Sequence, residues 1–221
     1  VDAGDSHTYT LVSGSGSTHN SSFNISGSNL QTAASFNFES QSSYNIRIKT
    51  EDSGGLTYEE AFTITIVDVN DAPVITSASS TSFAENSTST VITVTSTDED
   101  GNTRTYSISG TDAGDFSINS SSGALTFASA PNYESPADAD VNNTYIITVT
   151  ATDDGSGSLT DTQALTITVT DINEVPTDIS LNSTSVNENE SSGTTVGALS
   201  STDVDAGDSH TYTLVSGSGS T

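Results

Sequence analysis

The sequence contains no Cys, Met or Trp, and only 3 Lys and Arg stand against 29 Asp and Glu. Without Cys, a disulfide framework, a thiolate metal site and a Cys nucleophile are all excluded. The formal net charge of −26 makes nucleic acid an unfavourable partner, because such a surface repels phosphate. No apolar run approaches the roughly 18 residues that a transmembrane helix needs, so no membrane insertion of this segment is expected.

The apolar residues are few, at 31% of the chain, but their spacing is regular. They alternate with Thr and Ser in short runs such as TVITVTSTD (90–98), TYIITVTATD (144–153) and ALTITVTDI (164–172). This period of two in β-branched residues predicts half-buried strands. Clusters of Gly, Ser, Asn and Asp between the runs indicate turns. We therefore expect an all-β fold of short antiparallel strands.

Two internal repeats define the organisation of the chain. IVDVNDAP (66–73) recurs as VTDINEVP (169–176), which places Asp68 and Asp171 103 positions apart. Residues 1–18 recur without change at 204–221. Alternating modules of roughly a hundred residues explain both spacings. The prediction is a complete module at 73–175, a module without its first strands at 1–72, and the first part of a further module at 176–221.

Acidic residues concentrate at the predicted module boundaries and at the ends of predicted strands. Carboxylates 4 Å apart repel by about 4 kcal/mol per pair at an effective dielectric near 20. The three basic residues, Arg47, Lys49 and Arg104, are too few to neutralise them. Calcium takes 6–8 oxygen ligands, and the absence of His and Cys from these groups argues against zinc or copper. We therefore predict Ca²⁺ sites built from three sets of residues. The set at the first boundary is Glu39, Asp68, Asn70, Asp71, Asp98, Asp100 and Asp153. The set at the second boundary is Glu85, Glu134, Asp171, Asn173, Glu174, Asp203 and Asp205. Asp2, Asp52 and Glu188 are the repeat equivalents of members of these sets.

Other acids have a simpler interpretation. Six Asp residues outside the boundaries are expected to be turn-forming or exposed: Asp112, Asp115, Asp138, Asp140, Asp161 and Asp178.

Five spaced motifs resemble those of tandem cadherin repeats. DVNDAP (68–73) resembles the linker motif D-x-N-D-x-P, and Glu85 resembles the glutamate of the first strand. TDED (97–100), ATD (151–153) and NYE (132–134) resemble D-x-D, A-x-D and the Y-E motif. Asn132 and Asn37 stand where the family has Asp, and Glu174 stands at the position of Asp71, so the ligand set differs from the family's.

The resemblance implies tandem Greek-key β-sandwich modules, cadherin-like and immunoglobulin-like, joined end to end. It also implies calcium ions at each junction that stiffen the array. In that arrangement the preceding module supplies the first-strand Glu, the Y-E Glu and the linker Asp, and the following module supplies D-x-D and A-x-D. The composition is rich in Ser, Thr and Gly, and the 18-residue segment at 1–18 recurs unchanged at 204–221. These two features resemble the cadherin-like domains of long bacterial surface or secreted adhesins more than those of animal adhesion receptors.

On this interpretation the chain is not an enzyme, and no G-x-S-x-G element is present. It is expected to be an extracellular extender whose partners are neighbouring modules, with homophilic or head-to-tail self-association and a glycan or cell-surface ligand as further options. Two alternatives stay open. One is a carbohydrate-binding sandwich with exposed aromatic residues. The other is a fibre subunit in which strands of residues 176–221 complete residues 1–72 of the next chain.

Overall fold

The computed structural model describes residues 6–217, which form sixteen strands and two short 3₁₀ turns, Asn20–Ser22 and Thr111–Asp115. The first eight strands are β1 (His7–Leu11), β2 (Phe23–Ser26), β3 (Asn29–Thr32), β4 (Ser43–Asp52), β5 (Thr57–Thr65), β6 (Val74–Ile75), β7 (Ser80–Ala84) and β8 (Thr90–Thr93). The others are β9 (Ser96–Thr97), β10 (Arg104–Ser109), β11 (Phe116–Ile118), β12 (Ala124–Phe127), β13 (Thr144–Asp153), β14 (Thr160–Thr170), β15 (Asp178–Leu181) and β16 (Leu199–Thr202). The prediction of a nearly all-β chain is confirmed.

The described residues fall into two compact units. The first holds residues up to Val74 together with Ser96–Arg104 and Thr152–Asp161. The second holds Ile75–Thr95, Thr105–Ala151 and the residues from Thr162 onward. Each predicted boundary set falls within one unit, the first set in the first unit and the second set in the second unit.

The first unit is built on an antiparallel sheet in the order β1-β4-β5. In this sheet β4 is central, with Leu11 paired to Ile48 on one side and Phe62 paired to Ile46 on the other. The hairpin β2-β3 stands beside it, and its Phe23 lies 6.0 Å from the ring of Tyr44. Phe23 and Ile46 are buried, but every residue of β5 except Ile64 is exposed.

The second unit contains a β-sandwich. A four-stranded sheet has the order β10-β13-β14-β7, and a three-stranded sheet has the order β11-β12-β8. Their inner faces share one core, in which Tyr145 of β13 meets Phe116 and Phe127 at ring distances of 5.5 and 5.2 Å. Along β13, Tyr145, Ile147, Val149 and Ala151 are all buried while the residues between them are not. This alternation confirms the period-two prediction.

One pair of strands departs from the expected antiparallel pattern. β7 runs parallel to β14, with Ser80 opposite Thr166 and Ala84 opposite Thr170. The two strands are far apart in the sequence, so no hairpin fixes their relative direction. The pairing brings the end of β7, and Glu85 directly after it, beside the end of β14.

The hairpin β15-β16 follows in the second unit, with Asp178 opposite Thr202 and Leu181 opposite Leu199. Its apolar side chains are exposed, including 66% of Ile179 and 47% of Leu199. Within residues 6–217, none of the helical segments has the length or the apolar content of a membrane-crossing helix.

Candidate metal sites

The first acidic cluster consists of Glu39, Asp68, Asp71, Glu99 and Asp100. Glu39 lies between β3 and β4, Asp68 and Asp71 follow β5, and the other two follow β9. Carboxylate oxygens of Glu39, Asp68 and Asp100 lie within 4.8 Å of one another, and so do those of Glu39, Asp71 and Glu99. The backbone N–H of Asp71 also donates to Oδ2 of Asp100 at 2.6 Å. Three separate segments of the chain therefore converge on one group of oxygen atoms.

A network of side-chain amides adjoins this cluster. Asn102 donates to Oδ1 of Asn70, and Asn70 donates to Oδ2 of Asp153 at 3.0 Å. Oδ1 of Asp98 accepts the backbone N–H of Asn102 at 3.0 Å. Oδ2 of Asp98 is buried and has no hydrogen-bond partner. The network fixes Asn70 and Asp153 but leaves one buried carboxylate oxygen unsatisfied.

The electrostatics of the first cluster are unfavourable to a full set of ionised carboxylates. A hydrogen bond from its own backbone acts to lower the pKa of Glu39. Desolvation and the negative charges of Asp100 and Asp68 outweigh it, so the pKa of Glu39 is raised. Neither cluster acquires a cationic side chain among the described residues. The salt bridges join Arg47 to Glu59 and Lys49 to Glu51. The remaining cation, Arg104, donates to backbone carbonyls.

The second acidic cluster consists of Glu85, Glu134, Asp171 and Glu174, whose ligand oxygens all lie within 4.8 Å of one another. Glu85 is 1% exposed. Its Oε1 accepts the N–H of Ile172 at 2.9 Å, and its Oε2 accepts the N–H of Tyr133 at 2.8 Å. Each carboxylate oxygen carries two lone pairs, so these bonds leave capacity for a further ligand.

Asp205 stands against the second cluster. Its Oδ2 accepts the backbone N–H of Glu174 at 2.7 Å, and its Oδ1 is buried without a hydrogen-bond partner. Oε2 of Glu174 is also buried and unpartnered, while its Oε1 accepts a hydrogen bond from Asn86. Two unsatisfied carboxylate oxygens are therefore associated with this cluster.

The pKa values of three carboxylates in the second cluster are raised. Desolvation is the largest cause for Glu134, Asp171 and Glu174. The negative charges of Glu85 and Asp205 raise the pKa of each of these three carboxyl groups further. Ionisation of the whole group is thus costly in the absence of a positive charge.

The residues present fit a calcium ion. The donors are carboxylate and amide oxygens, with no His or Cys in either cluster. Buried carboxylate oxygens without partners are rare in folded proteins. Residues 6–217 include three, on Asp98, Glu174 and Asp205. A divalent cation would satisfy such oxygens and offset the repulsion that raises the neighbouring pKa values.

Several predicted site residues lie outside these groups. Oδ1 of Asp203 accepts the N–H of Asp205 at 3.3 Å, and Asn173 donates to the carbonyl of Glu174. Asp52 accepts the N–H groups of Gly54 and Leu56, as Asp153 accepts those of Gly155 and Leu159. Glu188 is exposed. Asp2 lies outside the described residues.

The sequence motifs do not indicate Glu99, although its carboxylate belongs to the first acidic cluster. It occupies the middle of TDED, between the two Asp residues that the D-x-D motif selects. Alternation along an extended strand would turn it to the opposite side. The residues of this segment beyond Thr97 are not in a strand, so that argument does not apply to Glu99.

Two kinds of comparison show which known proteins the chain is similar to. Residues 79–170 match the family model described as the cadherin domain. This stretch is similar to a cadherin domain, and it covers less than half of the chain. EC22-24 of mouse cadherin-23 shares 27% identity with the chain at a TM-score of 0.52, over 75% of this chain and 53% of that one.

Other solved cadherins are similar over more of the chain. The extracellular cadherin domains 1-4 of protocadherin gamma B7 share 25% identity at a TM-score of 0.59, over 90% of this chain and 51% of that one. EC21-23 of human CDH23 has the same fold at 21% identity and a TM-score of 0.58, over 91% of this chain and 69% of that one. The chain spans about half the length of cadherin-23 EC22-24 and of the protocadherin gamma B7 domains.

Proposed function

We propose that this chain is a calcium-binding structural segment of an extracellular repeat protein. It would act as an extender that is stiffened by Ca²⁺ at the links between successive cadherin-like modules, and not as an enzyme. The observation that carries the proposal is the set of buried, unpartnered oxygens on Asp98, Glu174 and Asp205. They adjoin clusters to which the described residues contribute no basic side chain. An extracellular location is supported by the similarity to the extracellular cadherin domains of protocadherin gamma B7.

The proposed mechanism is mechanical. The linker sequence DVNDAP supplies Asp68 and Asp71, the preceding repeat supplies Glu39, and the following repeat supplies Asp100. An ion bound to oxygens from all three would fix the linker, because moving any one segment would break metal–oxygen contacts. Without the ion, repulsion among the same carboxylates favours open conformations of the linker.

The proposal predicts a large effect of calcium on stability. A ligand that binds only the folded state stabilises it by about 2.7 kcal/mol at a hundredfold excess over its dissociation constant. The test is calorimetric titration of Ca²⁺ into metal-stripped protein, with Mg²⁺ as the comparison, followed by small-angle scattering with and without calcium. We expect saturable Ca²⁺ binding and a narrower range of conformations. The proposal would be contradicted if the titration shows no heat of Ca²⁺ binding and the scattering curves with and without calcium are identical.

A further inference from the structure

A cavity of about 260 Å³ opens in the β-sandwich of the second unit, outside both acidic clusters. It lies where the 3₁₀ turn Thr111–Asp115 and the loop after β12 meet the start of β13. Its lining residues all fall between positions 114 and 145, inside the stretch that matches the cadherin domain model. Liquid water occupies about 30 Å³ per molecule, so the cavity has room for a small organic molecule.

Asp115 is the charged residue of the cavity wall. Its side chain is half-buried, and it takes part in neither of the salt bridges within residues 6–217. Desolvation raises the pKa of Asp115, and the negative charges of Asp112 and Asp138 raise it further. An ionised Asp115 is therefore costly in the cavity unless a positive charge stands beside it.

The two neighbouring acids have structural partners of their own. Each carboxylate oxygen of Asp112 and of Asp138 accepts a backbone N–H, at distances from 2.7 to 3.1 Å. Both residues are buried, and neither of them lines the cavity. They act as fixed negative charges next to the cavity, and Asp115 is the carboxylate that a ligand inside it can reach.

Tyr145 adds a second oxygen to the cavity wall. The residue is 1% exposed, and its hydroxyl oxygen accepts the N–H of Ala137 at 3.2 Å. A hydroxyl oxygen has two lone pairs, so it can accept a hydrogen bond from one further donor. Phe127 and Ala128 contribute apolar surface to the same cavity. Small-molecule sites commonly combine such an apolar wall with a few polar groups that fix the orientation of the ligand.

We propose that this cavity binds the ammonium group of a short aliphatic amine, either a free alkylamine or the side chain of a lysine on a partner. The ammonium pairs with the carboxylate of Asp115 and donates to the hydroxyl oxygen of Tyr145, while the aliphatic chain packs against Phe127. An ammonium carries three donors and no acceptor, which suits two oxygens that can accept. The site takes no metal, so it can succeed or fail separately from the proposed function.

Two other classes of ligand fit the cavity wall less well. Ca²⁺ takes 6–8 oxygen ligands, and this wall offers a single carboxylate. A neutral sugar would leave the charge of Asp115 uncompensated, and the ring of Phe127, at 5% exposure, offers little surface for stacking. The desolvated carboxylate therefore favours a cation, and the apolar surface favours an organic one.

The test is an NMR titration of the full chain with n-butylammonium and, separately, with neutral n-butanol. Salt of about 150 mM limits the general attraction of cations to the net charge of −26 to distances near 8 Å. Two amides report on the cavity: that of Ala137 donates to Tyr145, and that of Ala128 donates to the backbone carbonyl of Asp115. We expect both signals to shift saturably with n-butylammonium, and n-butanol to bind about tenfold more weakly.

A charge-neutralising variant tests the role of Asp115. Asp115→Asn should weaken n-butylammonium binding by about tenfold and leave n-butanol binding unchanged, because the amide keeps the shape of the carboxylate without its charge. Asp178→Asn, at an exposed position of β15, is the matched control and should bind as the wild type does. A capped tripeptide with a central lysine identifies the source of the amine. Tighter binding than n-butylammonium supports a lysine side chain, and weaker binding supports a free alkylamine.

Three results would overturn the proposal. Equal affinities of the wild type for n-butylammonium and n-butanol would do so, even if Asp115→Asn fails to fold. Shifts that spread over the acidic surface and never saturate at Ala128 and Ala137 would do so as well. The third is a methyl glucoside that shifts these two amides while n-butylammonium does not.

Discussion

The side-chain amide of Asn70 donates a 3.0 Å hydrogen bond to Oδ2 of Asp153, a residue 83 positions later in the chain. Asn70 belongs to the linker sequence DVNDAP, and Asp153 ends β13. The bond ties a residue with no regular secondary structure to the end of a long strand. The position of the linker oxygens is thus set by a tertiary contact.

Gly155 lies directly against this contact. A Cβ at residue 155 would overlap Oδ1 of Asn70 and would also be too close to Nδ2 of Asn102. We expect Gly155→Ala to lower the melting temperature and to weaken calcium binding by about tenfold, equivalent to about 1.4 kcal/mol. Gly114→Ala is the control, because nothing lies within 4 Å of its added Cβ. Calorimetry and thermal unfolding check both, and equal behaviour of the two variants would contradict the placement of Asn70.

Asp98→Asn should have opposite effects on stability and on metal binding. In metal-stripped protein it removes the charge from a buried oxygen that has no partner, a group that costs about 1–3 kcal/mol when unsatisfied. The variant should therefore be at least as stable as wild type without calcium, yet bind calcium more weakly. Chemical denaturation with and without Ca²⁺ measures both quantities. Asp178→Asn, at an exposed position of β15, should change neither.

Glu99→Gln tests the ligand that the motifs did not indicate. Its carboxylate lies with those of Glu39 and Asp71, and Oε2 accepts the side-chain amide of Asn37 at 2.6 Å. Neutralising it should reduce calcium affinity several-fold, because a neutral amide attracts the ion less strongly. Glu60→Gln on β5 is the matched control and should leave the titration unchanged. Identical isotherms for the two variants would exclude Glu99 from the site.

The pH dependence of metal-stripped protein follows from the raised pKa values in the second cluster. Desolvation raises the pKa of Glu134 and Glu174 above the ordinary 4.5, and that of Asp171 above 3.8. Folded protein then holds these protons more tightly than unfolded protein does. Their contribution to stability is present below the ordinary pKa and is lost as the pH rises through the raised pKa.

We therefore expect the melting temperature of metal-stripped protein to rise as the pH is lowered from neutrality towards the ordinary pKa values of these carboxyl groups. Calcium-saturated protein should show the reverse, because protons compete with the ion for the same oxygens. A melting temperature that falls on acidification in both states would contradict the raised pKa values.

Asp112 is an acid with a structural role. It is 6% exposed, its Oδ1 accepts the N–H of Ala139, and its Oδ2 accepts the N–H of Ile146. The sequence predicts that Asp112 is turn-forming or exposed. It does lie in a turn, Thr111–Asp115, but it is buried there. Asp112→Ala should destabilise the fold by about 3 kcal/mol, because two backbone N–H groups lose a charged acceptor that is itself buried. Asp178→Ala is the control. The loss measured by denaturation should be the same with and without calcium, and a calcium-dependent loss would contradict this role.

The strands and the positions of the acidic residues could be predicted from the local sequence pattern. Which strands pair, and in which direction, could not. Alternation of apolar and polar residues is enough to predict β13 and β14, since each side chain in a strand points to the face opposite its neighbours. The parallel direction of β7 against β14 could not be predicted this way, because strand direction depends on partners far away in the chain.

The sequence by itself determined the all-β character, the spacing of the internal repeats and the segments that carry carboxylates, because period-two alternation, turn residues and repeats can be recognised without knowing the tertiary structure. Only the tertiary structure decided which carboxylates meet. It brought Glu99 to Glu39 and Asp71, buried an unpartnered oxygen of Asp205, and left Glu188 exposed. Such convergence depends on how distant segments of the chain pack together. The spacing of residues within one segment does not specify the distances between carboxylate oxygens that lie on three different segments.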